Sequence, residues 1–547
     1  MNSSQQNLEK AGTQKRAFVA IFAILGSRIF GLVREQVFAF FFGASAVFDA
    51  FVVAFRIPNL LRDLLAEGAL SQSFVAVFSK KLGLGQKTEA LALAQKVFTF
   101  IQVLVGALVV LGIIFSPVLV HALASSFEGD KFTLTVTLTR LLMPFILLAA
   151  LAALVMGILN AFNKYFIPHS ASTVFNIVSL VTGLLCMWYF APIYWAAALA
   201  GDVGKMLAAG DATRAIMAMA AGVLFGGVAQ YAMQLPVLWK QGVHLKYDFH
   251  FRDSALKEVL LLTGPAILGG AAVQVNVLVN TQFAASLGDG AVSWINYAFR
   301  FMQFPLGIFG VAIASASAPT FAKLLAQNRL ADMRQTLQSS IGLCLFLCVP
   351  ASCLLFILAQ PIVGLIYQHG RFELQDTLMT AQALMAYSVA ITGYALIKIY
   401  QPAFLAFGNS QSPMRISLVS IALNAILNTV FIVVLHYGHW SLAASTSVVA
   451  TSNFLFLAWM FRKHLPDVWD KGCVLVLGKV AAAAALSLVL TMPLIRINEL
   501  FSPPDSKFEY LQILLIAGGF YSVVYLFFCS AFKVREVHWL WLKIRSR

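Results

Sequence analysis

Eight ionisable residues interrupt an otherwise apolar stretch: Arg28, Arg34, Glu35, Asp49, Arg56, Arg62, Asp63 and Glu67. At a bilayer centre each ion costs about 2.5–3.5 kcal/mol even on a lenient insertion scale. Several such costs together exceed the about 5–15 kcal/mol that holds a whole protein folded. These groups therefore face a hydrated cavity, pair with one another, or both. Asp49, Arg56 and Asp63 lie seven apart and Glu67 four further, so an ideal helix puts all four on one stripe. Glu35 follows Arg28 by seven, again one face. Pro58 kinks the second stretch and takes Arg62 off ideal angles. Arg300 and Lys398, in later apolar stretches, tip the set positive. A positive cleft selects an anion, and the planar fork of arginine suits phosphate oxygens. For Lys398, snorkelling to the membrane surface is an equal reading.

The elements that must position these groups follow from composition. Of 547 residues, 60% are hydrophobic and 11% charged, and the mean hydropathy is +0.83. A soluble domain carries about 25% charged residues, and a chain this apolar could not cover its outside with polar groups. The sequence is that of an all-α polytopic membrane protein. Hydropathy marks fourteen expected spans: 17–42, 46–79, 90–122, 133–162, 167–191, 213–238, 258–287, 291–322, 336–367, 377–407, 413–436, 440–461, 473–495 and 510–532. The stretches far exceed the 9–11 residues of a membrane strand. With a cytoplasmic N-terminus, the inside segments hold 23 Lys and Arg and the outside loops 6. Both termini are thus expected in the cytoplasm. The first apolar segment contains Arg28 and Arg34 and reads as a retained span rather than a signal peptide.

An internal repeat recurs at a spacing near 244. Ala54-Phe55-Arg56 returns as Ala298-Phe299-Arg300, Ser71 and Ser73 as Ser315 and Ser317, and Pro117 as Pro361. Six spans per repeat give two lobes of like orientation, 1–238 and 239–462, with spans 13 and 14 (463–547) as an addition. Paired bundles of this kind characterise secondary transporters, with the substrate site between the halves.

Several classes are excluded. No GxxxxGK[ST] loop is present, so no ATPase module is built in. The net charge of +15 fits cytoplasmic loops against an anionic leaflet rather than nucleic acid. Cys186, Cys344, Cys348, Cys353, Cys473 and Cys529 read as small apolar residues, with no acid or His beside Cys344 and Cys348 to make a metal site.

The run SRIFGLVREQVFAFFFGASAVFDAFVVAFRIPNLLRDLLAEGALSQSFV, from Ser27 to Val75, closely resembles the start of the MurJ (MviN) lipid II flippases, within the multidrug/oligosaccharidyl-lipid/polysaccharide exporter superfamily. Further matches run from Arg140 to Pro168, Val292 to Lys323 and Gly408 to Arg415. The resemblance implies two six-helix lobes around a central cavity, with spans 13 and 14 forming a groove for a polyprenyl tail. It implies that lipid II is carried from the cytoplasmic to the periplasmic leaflet of the bacterial inner membrane by alternating access, without enzymatic chemistry. The family's cavity arginines fall on Arg28, Arg34, Arg62 and Arg300, its span-2 acids on Asp49 and Glu67, and its asparagine on Asn59. Glu35, Arg56, Asp63, Gln303 and Lys398 are further cavity candidates. Membrane lipids and peptidoglycan-synthesis proteins are the implied partners.

Three positions depart from the family pattern. Phe299 and Gln303 stand where relatives often carry acids, and Asp63 where they often carry a base. Relatives described with a sodium site use acids where this chain has Asn280, Asn424 and Asn428. Without a carboxylate a monovalent cation binds weakly, so no cofactor is expected and the membrane potential is the expected driving force. Rival readings are an exporter of another polyprenyl-diphosphate-linked saccharide or a drug or ion antiporter of the same superfamily. An antiporter for organic cations would want an acid-rich cavity.

Overall fold

A computed structural model describes residues 26–64, 70–208, 211–501 and 506–537. Glu67 lies outside the described residues. Among those described, every regular element is a helix. Ten helical stretches are long and apolar enough to cross a bilayer: Lys87–Ile114, Gly129–Ala161, Phe166–Phe190, Ala212–Lys240, Ala291–Ala326, Leu330–Ile357, Gln411–Val434, Trp440–Phe461, Lys471–Ile495 and Lys507–Ala531. Leu374–Ser388 and Ala390–Ala406, bent by 42°, add an eleventh if taken as one broken span. Each coincides with an expected span. The other three expected spans correspond to the helix over 26–42, the charged stretch 46–79 and the 32-residue helix Ser254–Ala285. Length and apolarity alone therefore do not fix the count at fourteen.

Large apolar side chains point outward as only lipid allows. Val523 is 68% and Phe527 65% exposed, on one helix, Lys507–Ala531. By internal packing the chain divides into two compact units, one ending at Gly290 and one starting at Ala291. Helix Ser254–Ala285 packs in the first unit, against Leu70–Gly83 and Lys87–Ile114. The expected lobe boundary at residue 238 follows duplication, whereas this division follows contact.

In the first unit, Phe166–Phe190 and Ala212–Ala232 approach through glycines. A Cβ on Gly222 would stand 2.6 Å from the Gly183 Cα, and one on Gly226 2.8 Å from the Phe175 carbonyl oxygen. Small residues let membrane helices approach this closely. The approach fixes Phe175 and Asn176, which face the first helix. Asn176 Nδ2 donates to the Ser27 carbonyl at 3.1 Å.

The two units share one device. Helix Ala46–Leu61 contains Pro58 and passes into a widened turn at 62–64. Its repeat counterpart Ala291–Pro305 ends on Pro305 and passes into a widened turn over Leu306–Val311. Proline removes a backbone donor and clashes with the preceding turn, and each helix gives way to its widened turn beside the candidate residues. In the second unit, Lys471–Phe501 and Lys507–Ala531 bury Val480, Ala483, Tyr521 and Tyr525 against Phe346. The Tyr525 hydroxyl donates to the Phe346 carbonyl at 2.8 Å. All six cysteines are free. Cys344 and Cys348 lie with sulfurs 3.9 Å apart on one buried helix face.

Asp253 shows how a connecting segment starts a span. Its carboxylate caps Ser254–Ala285, accepting from Ala255 N at 2.9 Å and Leu256 N at 3.2 Å. Lys96 Nζ lies 2.6 Å away. The Lys96 hydrogen bond, then those backbone donors, hold the carboxyl below its ordinary value against partial desolvation. A carboxyl lowered on folding adds stability that is complete above its unfolded value, near 3.9, and is lost as pH falls through the folded one. Asp253→Ala should therefore cost about 1–2 kcal/mol at neutral pH, cap and part-buried ion pair together. Thermal unfolding in detergent should show that deficit shrinking as pH drops below 4; a deficit constant with pH would refute the ionic part.

Candidate functional site

The first unit gathers most of the candidate residues on two helices. Arg34 and Glu35 are both buried, with Nη2 3.4 Å from Oε1. The Arg34 guanidinium lies 5.7 Å from the centre of the Phe175 ring, a cation–π contact. The glycine-mediated helix approach holds that ring in place. Arg28 and Arg56 are half-buried.

Arg62 and Asp63 form a local pair. Arg62 Nη2 donates to Asp63 Oδ1 at 2.9 Å and Nε at 3.2 Å. Gln274 Nε2, from Ser254–Ala285, reaches Asp63 Oδ2 at 3.5 Å. The expected stripe required an unbroken helix. The widened turn at 62–64 starts just before Asp63, so the seven-residue spacing from Arg56 no longer follows an ideal helix. Close by in sequence, Asn59 Oδ1 and Asn276 Oδ1 are buried acceptors with no hydrogen-bond donor among the described residues.

Asp49 is completely buried. Its Oδ2 accepts from Lys131 Nζ at 3.0 Å and from the Gly290 backbone N–H at 2.8 Å. Lys131 also meets Asp289 Oδ1 at 2.7 Å and sits 4.0 Å from the Phe127 ring centre. Sequence reasoning counted Lys131 only as one of six outside cations, and it missed Asp289 and Gln274. A lone basic residue in a short loop, facing the side where a span begins on an acid, was the available signal.

In the second unit, Arg300 and Gln303 are half-buried on Ala291–Pro305. Phe299, in place of an acid, stacks edge-on to Tyr387 with centres 5.6 Å apart. Lys398 is exposed on Ala390–Ala406, between fully buried neighbours Ile399 and Tyr400 and the buried Ile397. It makes no ion pair among the described residues. Asn424 and Asn428 are fully buried, and their Oδ1 atoms both accept from the Ser445 hydroxyl, Asn424 at 3.4 Å. Asn280 lies half-buried in the first unit. Among the described residues no group of three or more His, Cys, Asp or Glu could hold a metal ion.

Arginines set into apolar helices, two of which run through a proline into a widened turn, point to a polytopic transporter. The fold is that of known transporters. An inward-facing multidrug resistance MATE family transporter of the MOP superfamily matches with TM-score 0.61 at 13% identity, covering 83% of this chain and 95% of that one. A solved lipid II flippase MurJ in an inward closed conformation matches with TM-score 0.74 at 24% identity, covering 94% and 98%. The family model for lipid II flippase MurJ matches residues 38–514. A probable lipid II flippase MurJ of Buchnera aphidicola (subsp. Schizaphis graminum) is 31% identical over 91% of this chain and 93% of its own length. The lipid II flippase MurJ of Burkholderia cenocepacia is 32% identical over 80% and 81%. The chain belongs to the lipid II flippase MurJ family. It is a multi-pass bacterial inner-membrane transporter, not an enzyme.

Proposed function

We propose that this chain moves lipid II from the cytoplasmic to the periplasmic leaflet by alternating access, its arginines receiving the diphosphate. The observation that carries this reading is the placement of Arg28, Arg34, Arg56 and Arg62 in the first two helices of a MurJ-family chain. Against them stand Glu35, Asp63 and an Asp49 already matched by Lys131. With Glu67 the two spans carry four basic and four acidic residues, Arg300 and Lys398 tip the set positive, as an anion requires, and guanidinium presents paired donors to phosphate oxygens. The buried acceptors Asn59 Oδ1 and Asn276 Oδ1 suit amide or hydroxyl groups of a glycopeptide head. The excess of basic residues in alternate loops supports cytoplasmic termini.

For energy, the same charge pattern favours the membrane potential. A unit charge crossing the full field is worth about 2.3 kcal/mol per 100 mV. With a negative interior, outward passage of the diphosphate is assisted, and the emptied positive cleft is drawn back inward. The amides at 280, 424 and 428 make sodium dispensable in this reading, since neutral oxygens hold a monovalent cation weakly. Labelled lipid II in proteoliposomes tests both parts through its leaflet sidedness. Flipping should persist without sodium and slow severalfold when valinomycin and potassium abolish the potential. Absence of flipping would remove the proposed cargo; arrest by sodium withdrawal alone would remove the proposed energy source.

A further inference from the structure

At one membrane boundary of the second unit lies a cavity of about 620 Å³, lined by Trp469, Lys471, Leu475, Gly478, Lys479 and Phe532. We infer that it is a binding site for one anionic glycerophospholipid, with Lys471 and Lys479 holding the phosphate and the apolar wall an acyl chain. The inference rests on the membrane reading of the chain and not on its cargo.

Charge points to an anion. Neither lysine makes an ion pair among the described residues. The neighbouring carboxylate of Asp470 is engaged elsewhere, accepting from Cys473 N at 2.8 Å at the start of the helix. Lys479 lies eight residues into Lys471–Phe501, about 12 Å along the axis at 1.5 Å per residue. From that depth the lysine stem lies along apolar surface and the ammonium reaches back to the boundary, the level of lipid phosphates.

Shape points to a lipid. Leu475 and the adjacent Val474 are more than half exposed on a membrane-crossing helix, so the cavity opens to the hydrocarbon. Gly478 is one of its lining residues, and a Cβ there would meet nothing within 4 Å. Packing does not require this glycine, the poorest helix former after proline; its lack of a side chain keeps the cavity open. The walls are anchored independently. Trp469 Nε1 donates to the Tyr400 hydroxyl at 2.9 Å, and Phe532 stacks on Phe528 with centres 5.9 Å apart.

The test is native mass spectrometry of the purified full chain, titrated with phosphatidylglycerol and phosphatidylcholine of identical acyl chains. Wild-type protein should prefer phosphatidylglycerol by about 25-fold, roughly fivefold for each lysine near the surface. Lys471→Gln and Lys479→Gln should each lose about fivefold, and the double variant should reach parity. Lys479→Arg should keep the preference. Gly478→Leu, which fills the cavity without changing charge, should lose both lipids. A double variant with wild-type melting and an undiminished preference would overturn the site. So would Gly478→Leu binding both lipids as wild type does. Displacement of phosphatidylglycerol by equimolar geranylgeranyl diphosphate would also overturn it, by assigning the cavity to the cargo. Transport is not the readout, so the site stands or falls separately from the flippase reading.

Discussion

Arg62→Ala and Arg300→Ala should each reduce lipid II transport at least tenfold in proteoliposomes, with the protein still folded in the membrane. A hydrogen bond to a charged group contributes about 1.5–3 kcal/mol, and each variant removes a two-pronged donor. Lysine at either position should restore transport only in part, because a point charge lacks the planar fork. Arg62 carries its own internal control. Its Nε and Nη2 both donate to Asp63 Oδ1, so the carboxylate competes with any phosphate for those donors. Asp63→Asn should therefore tighten lipid II binding while Arg62→Ala weakens it, opposite signs from adjacent residues. Normal flipping by both alanine variants would remove arginine from the transport step. Weakening by both Asp63→Asn and Arg62→Ala would mean instead that the pair acts by holding the helix.

How much of this was legible in the sequence differs between the fold and the site. Spans were legible because bilayer thickness imposes a length and an apolarity that survive any packing. Eleven of the expected stretches reappear as long apolar helices or a bent pair. The ionisable residues were legible as a set, since their cost in hydrocarbon does not depend on their partners. Their pairing was not. Asp49 and Lys131 stand 82 residues apart and Asp49 and Gly290 stand 241 apart, and helical spacing carries no information at such separations. The stripe through Asp49, Arg56 and Asp63 assumed ideal helical spacing, which Pro58 and the widened turn at 62–64 interrupt before Asp63. Proline announced a bend in the sequence, but nothing there gave its size. Asn424 and Asn428, four apart, share a helix face. Their shared Ser445 lies on the next helix, Trp440–Phe461, which a single-helix view omits.

Lys131→Ala should lower stability by about 3 kcal/mol, the largest single loss expected outside the apolar core. Asp49 has no solvent exposure, and removing one partner of a buried pair typically costs about 3–5 kcal/mol, because the remaining charge is left in a poor solvent. The lower end applies, since the Gly290 N–H still donates to Asp49. Asp49→Asn in wild-type background should cost less, for Lys131 retains Asp289. Combining Asp49→Asn with Lys131→Met removes both charges and should recover at least half of the Lys131→Ala loss in thermal unfolding. Transport then separates two roles for Asp49. A carboxylate buried under Lys131 and a backbone N–H is placed to hold helix ends together rather than to meet cargo. The double variant should accordingly flip lipid II at a rate within about threefold of wild type. Recovered stability with transport still abolished would instead put the Asp49 charge in the transport cycle, exposed to the cleft in another conformation and released there by its lysine.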